Sequence, residues 1–215
     1  EDIIITDGYV GGQAVVEYFR GLLLTLKGTS SEAMSVSVKW DGAPAVVCGT
    51  NPDNGKFFVG TKAVFAKAAK INYTKKDIAA NHGTDELGQK LLKCLVHLKK
   101  LNIQGVVQGD LLFIDDSITR KNIDGKPHLT FTPNTITYAV PEGGELANQI
   151  DRAKLGIIFH TTYVGDSLAT MNAQGGADVS SFTQSPDVFF DNASYKDVSG
   201  SAKFTADESQ QFYNS

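Results

Sequence analysis

Residues Asp85–Leu101 constrain the fold most: Leu87, Leu91, Leu92, Leu95 and Leu98 recur at helical spacing and give one apolar side. Gly105–Ile114 follows almost at once and reads as a buried strand. Around this pair the chain offers further strands at Met34–Trp40, Pro44–Gly49, Lys56–Thr61, Leu129–Thr132, Ile136–Val140 and Leu155–Tyr163. Asp41-Gly42 and Asn51–Gly55 supply turns between the first three. Tyr9–Lys27 has helical spacing and is stopped by Gly28, Glu145–Ala153 reads as a short helix, and β-branched Glu1–Thr6 reads as a short strand. Strands joined by hairpins, rather than regular βαβ units, predict an α+β fold with mainly antiparallel sheets and flanking helices. The stretch 172–201 turns to Gly, Ser, Asn and Asp and reads as irregular and loop-rich.

At 215 residues the chain supports one ordinary core, so 1–215 is expected to form a single domain. No apolar run approaches the roughly 20 residues of a membrane span, and no signal-peptide pattern opens the chain. Cys48 and Cys94 lack metal-ligand spacing, which excludes a disulfide scaffold and suits a reducing, cytoplasmic setting. The chain begins without Met and so reads as a fragment.

Charge is uneven. Residues 1–107 carry 13 Lys+Arg against 10 Asp+Glu, and residues 108–215 carry 7 against 14. From Gly55 to Lys76 there are six lysines (56, 62, 67, 70, 75, 76) and no acid, with Phe57, Phe58, Phe65 and Tyr73 interleaved. Lysines suit phosphates and aromatics suit bases; a solvated lysine face over core aromatics has the same composition. The net charge of −4 argues against a stand-alone duplex clamp.

The sharpest segment is Ser37-Val-Lys-Trp-Asp-Gly-Ala-Pro-Ala45, in which a strand would deliver Lys39 into a cleft before an Asp-Gly turn. Asp-Gly is also the commonest tight-turn pair, so a plain hairpin accounts for the same residues. His128 and His160 stand without partner spacing and are set aside.

Lys39-Trp40-Asp41-Gly42 resembles the lysine–any–aspartate–glycine signature of covalent nucleotidyltransferases, the superfamily of ATP-dependent DNA and RNA ligases and mRNA capping enzymes. Phe58-Val-Gly-Thr-Lys62 resembles the second motif of that superfamily, Gln108-Gly-Asp-Leu-Leu112 the third, and Leu155-Gly-Ile-Ile-Phe-His160 the later strand whose aromatic stacks on the purine. The pattern covers residues 39 to 160 and looks most like ligase-like proteins of tailed phages, for which the compartment would be the host cytoplasm.

The resemblance implies a ligase-type adenylation domain with an ATP-grasp-like architecture, acting as a monomer away from membranes. Lys39 would attack the α-phosphate of ATP to give lysyl-AMP, and AMP would pass to the 5′-phosphate of DNA or RNA. A lysine of pKa about 10.4 costs on the order of 4–5 kcal/mol to neutralise at pH 7, so burial or nearby cations, Mg²⁺ or Lys62, must lower it. Trp40, Asp41 and Gly42 would help hold the nucleotide, with Asp41 in a positional role. Asp110 would bind ribose or hydrated Mg²⁺, Phe159 would stack on adenine, and Lys67, Lys70, Lys75 and Lys76 would meet nucleic acid. The alternatives are a capping-type guanylyltransferase using GTP, or a non-catalytic relative that binds nucleotide or nucleic acid.

Two departures stand out. Pro44 occupies the position where many DNA ligases carry Arg. The fourth and fifth motifs are not found: Glu142-Gly143 is out of order, and Lys196 and Lys203 stand alone. A chain truncated at its C-terminus is the expectation that follows.

Overall fold

The computed structural model describes residues 2–27, 37–194 and 204–214. They fall into two compact units, one of residues 37–194 and one drawn from the two chain ends.

The larger unit is built on a six-stranded sheet of β1 (Ala45–Thr50), β2 (Phe57–Gly60), β3 (Val106–Ile114), β7 (Leu155–Val164), β8 (Asn172–Gly175) and β9 (Val188–Asn192). The order runs β2-β1-β3-β7-β8, and β9 pairs with β7 as well. All pairs are antiparallel except β7–β9. A second sheet of β4 (Thr119–Ile123), β5 (Lys126–Phe131) and β6 (Tyr138–Pro141) is antiparallel throughout. Mixed α+β architecture with mainly antiparallel sheets is therefore what this sequence forms.

Side chains alternate across a strand, which sorts the central sheet into two faces. One face carries Val46 and Cys48 of β1, Val107 and Leu111 of β3, and Leu155, Ile157 and Phe159 of β7. Against it lies α3 (Glu86–Leu98), contributing Leu91, Cys94 and Leu98, all fully buried. Asp85 caps this helix by accepting from the Gly88 N–H. Burial pushes the Cys94 thiol up to about 12 and the Cys48 thiol upward too, so both behave as small core hydrophobes.

The opposite face bears two separate apolar clusters. Val47, Phe58, Val64, Val106 and Leu168 form one. Leu112, Phe113, Leu129, Phe131, Ile158 and residues of α4 (Glu145–Arg152) form the other, which joins the small sheet to the large one.

Several elements depart from the expectations of sequence. Glu1–Thr6 was expected as a strand, but α1 runs Asp2–Leu26, interrupted at Gly8, whose φ of 56° breaks the helix. Residues 34–36 of the expected strand Met34–Trp40 lie outside the described residues, and 37–40 form a loop with a single bridge, Ser37 to Ser194. Helix α2 (Lys75–His82) and strand β4 were not foreseen, and the stretch expected to be irregular contains β8 and β9. In the smaller unit, α5 (Ala206–Asn214) meets α1 through Phe212, whose ring centroid lies 6.3 Å from that of Phe19.

Candidate functional site

The loop carrying Lys39 is fastened at both ends. At its start the Val38 N–H donates to the Ala193 carbonyl at 2.7 Å, just past β9. At its finish the Ala43 N–H donates to the Leu111 carbonyl at 2.9 Å, on β3. Strand β7 lies between β3 and β9, so the loop bridges across it. For the described residues 37–40, the expected pairing with the next strand is replaced by this two-point suspension.

Asp41 fixes the middle of the loop. Its carboxylate accepts from the Asn134 Nδ2 at 2.8 Å, the Thr135 N–H at 2.7 Å and the Ile136 N–H at 2.6 Å. Those bonds, led by Ile136, hold its pKa below the ordinary 3.8, with the Lys39 charge adding to the effect. The Asp41 N–H donates to the Tyr138 hydroxyl at 2.9 Å, and Trp40 packs on the Tyr138 ring at 5.3 Å between centroids. The aspartate of the signature is thus an anchor to the β5–β6 loop, a positional role.

Gly42 presses on Asp110. A Cβ at position 42 would collide with the Asp110 Cβ and lie 3.0 Å from the Leu111 carbonyl oxygen. Gly109 serves the neighbouring strand in the same way, because a Cβ there would sit 2.6 Å from the Ile158 carbonyl oxygen. The two segments that carry the resemblance most strongly, Lys39–Gly42 and Gln108–Leu112, are therefore adjacent in space.

Asp110 and Gln108 fill the gap between the two apolar clusters, since Val106 belongs to one and Leu112 to the other. A bulge in β7 lets Phe159 pair with Gly109 and Thr161 with Gln108, leaving His160 as the extra residue. His160 Nε2 lies 3.4 Å from Asp110 Oδ1, while its Nδ1 bonds the Thr161 hydroxyl at 2.8 Å. The Tyr163 hydroxyl donates to Gln108 Oε1 at 2.7 Å. Ile158 pairs with Asp110 on one side and Asp191 on the other, so both carboxylates project from this face.

Other expected positions resolve differently. Phe159 was expected to stack on adenine, but its ring is fully buried on the α3 side, edge-on to Phe182 at 5.4 Å. Strand parity gives the reason: Leu155, Ile157 and Phe159 share the core face, and Asp110 points from the other. Lys62 was expected to point inward from a strand end. It instead opens a short 3₁₀ helix (Lys62–Phe65), capped by Thr61, and is exposed.

Lys67, Lys70, Lys75 and Lys76 are all exposed. Lys70 Nζ donates to the Asn81 carbonyl at 3.1 Å, and Lys75 and Lys76 open α2 behind a Thr74–Asp77 capping box. Glu142-Gly143 lies in the turn after β6, with Glu142 ion-paired to Arg120 at 3.2 Å, and Lys196 and Lys203 lie outside the described residues.

Sequence reasoning set His160 aside and gave no role to Tyr163 or Asp191, all three of which contribute to this face. A histidine at the end of an apolar strand whose neighbour ends in an acid was the available signal for the first. Asp191 sits in Val188-Phe-Phe-Asp-Asn192, an apolar run with a carboxylate inside a polar stretch.

Among the described residues no group of three or more His, Cys, Asp and Glu side chains converges for a metal. Mg²⁺ is commonly held by one or two carboxylates together with substrate phosphates; Asp110 supplies one carboxylate on this face, and Asp191 stands two strands away across Ile158. No helix among the described residues is long and apolar enough to cross a membrane.

The whole chain, residues 1–215, matches the model of a family described as "Family of unknown function (DUF6267)", and the protein belongs to that family. No curated protein and no solved structure matches it.

Proposed function

We propose that this domain is a covalent nucleotidyltransferase of the ATP-dependent ligase type, with Lys39 as its nucleophile. One observation carries the reading: the Lys39 loop spans β7 and its Gly42 abuts Asp110, which stands in the polar gap between two apolar clusters. Backbone hydrogen bonds at both ends and the Asp41 anchor would hold the Lys39 backbone still while its side chain meets a phosphate.

In the proposed reaction the exposed Lys39 ammonium first gives up its proton to solvent. The neutral amine then attacks the α-phosphorus of ATP, a Nζ–P bond forms, and the bond to the β-phosphate oxygen breaks to release pyrophosphate. Asp110 would hold Mg²⁺, which would neutralise phosphate charge when bound, and Asp191 stands on the same face across Ile158. His160, beside Asp110, would orient that carboxylate. AMP then passes from Lys39 to a nucleic-acid 5′-phosphate, with Lys67, Lys70, Lys75 and Lys76 as backbone contacts.

Label transfer tests the reading. Protein incubated with Mg²⁺ and α-labelled ATP should retain label through denaturing electrophoresis, and γ-labelled ATP should leave none. Lys39→Ala should abolish the signal. Label acquired only from GTP would move the domain to the capping branch. Label that persists on Lys39→Ala would refute the assignment of the nucleophile.

A further inference from the structure

At the far end of β1 from Ala45 lies a groove of about 550 Å³, walled by the β1–β2 turn, Tyr73 and the segment entering β3. Five residue steps lead from Ala45 to Thr50 at the groove, about 17 Å at about 3.3 Å per step. Lys56 and Lys99 line it from opposite sides of the sequence, and no carboxylate does. Both lysines are exposed, and among the described residues neither ammonium has an acidic partner. Asp77, the acid that follows Tyr73 most closely, does not line the groove, and its carboxylate is engaged by the Tyr73 and Thr74 N–H groups at 3.0 Å and 2.9 Å.

The remaining lining suits more than charge. Asn102 and Gln104 supply amides, tied to one another at 3.1 Å. Phe57 and Tyr73 are half-buried aromatics, the latter held by Asn51 and Asn54 through its hydroxyl at 2.7 Å and 3.0 Å. Paired cations without acids, beside aromatic rings fixed in place, are the combination that binds the phosphates and bases of an unpaired strand. Lys75 and Lys76 follow Thr74, which lines the same groove.

We infer that this groove holds the backbone phosphates of a single-stranded polynucleotide at a distance from the Lys39 loop. The choice of a polynucleotide over other polyanions rests on the function proposed above. The groove lies outside the motifs that carry that function, so the two can fail separately.

Fluorescence anisotropy with labelled single-stranded DNA and RNA oligonucleotides tests it on the whole chain. Replacing both Lys56 and Lys99 by Gln should weaken binding about tenfold at low salt. It should also lower the slope of log K against log salt by about 1.4, two contacts at about 0.7 each. Lys121→Gln with Lys126→Gln, two exposed lysines of the small sheet, removes the same charge and should change neither quantity.

Unchanged affinity in the Lys56/Lys99 variant, an equal loss in the Lys121/Lys126 variant, or no oligonucleotide binding by the wild type would each overturn the inference. Displacement of the oligonucleotide by free ATP, or by polyglutamate at matched charge, would reassign the groove to a mononucleotide or an acidic protein. The Lys56/Lys99 variant should label with ATP as the wild type does. A wild type that binds oligonucleotide but takes no label would end the ligase reading and leave the groove standing.

Discussion

The two faces of the central sheet share the same strands and differ in almost everything else. The face under α3 is continuous: Val46, Cys48, Leu111, Ile157 and Phe159 meet Leu91, Cys94 and Leu98 with essentially no exposure. The opposite face is divided, with Gln108, Asp110 and His160 lying between two apolar clusters. Leaving polar groups in the middle of a sheet sacrifices burial that two more apolar residues would have gained. The lesson is one of division of labour. The sealed face fixes the strands, and the divided face can then hold polar side chains in place.

Breaking the sealed face should have the largest effect. Phe159→Ala empties a fully buried ring position and should cost about 3–5 kcal/mol, read by denaturant unfolding. Phe159→Leu keeps most of that volume and should leave the KM for ATP in the labelling reaction unchanged. A raised KM would return the ring to the nucleotide and undo the contrast between the faces.

On the divided face the order reverses. Asp110→Asn should leave the melting temperature nearly unchanged and slow labelling by more than about tenfold, since even the outer partners of metal ligands are worth that much. A large stability loss with full labelling would make Asp110 a structural residue only.

The smallest effect belongs to the anchor. Asp41 has a pKa below its ordinary 3.8, so its carboxylate stabilises the fold above that value, and this contribution is lost as pH falls through the lowered pKa. Asp41→Asn should therefore melt lower than wild type at neutral pH, by less than Phe159→Ala. The gap should close in acid, as thermal melts across pH would record. A gap independent of pH would mean that the anchor works through shape rather than charge.

How much of this was legible beforehand follows from the same contrast. The sealed face was easy to read, because α3 repeats leucine at helical spacing and β3 and β7 are nearly continuous apolar runs. The strands of the small sheet were harder. Thr119-Arg-Lys-Asn-Ile123 is exposed along its whole length, so no burial pattern marks it. Ile3, Ile4 and Ile5 favoured a strand by β-branching, yet they lie exposed on a helix.

In the candidate site, the Lys39 and Asp110 segments were visible as motifs, but their supports were not. Asp41 is anchored by residues 134–136, more than ninety positions away. Phe159 shares the core face with Leu155 and Ile157 by plain strand alternation, and the Asp110 register that puts the candidate site on the other face is not readable from spacing within β7. Lys75 and Lys76 were noted for their charge, while the Thr74–Asp77 capping signal of the helix they begin went unread.

The measurement that reaches the central claim most directly is intact-protein mass after incubation with ATP and Mg²⁺, followed by mapping of the modified peptide. The account predicts a gain of one adenylyl group, carried by the peptide containing Lys39 and absent from Lys39→Ala. An adenylyl group on another residue, or an unmodified protein under conditions where oligonucleotide still binds, would contradict it.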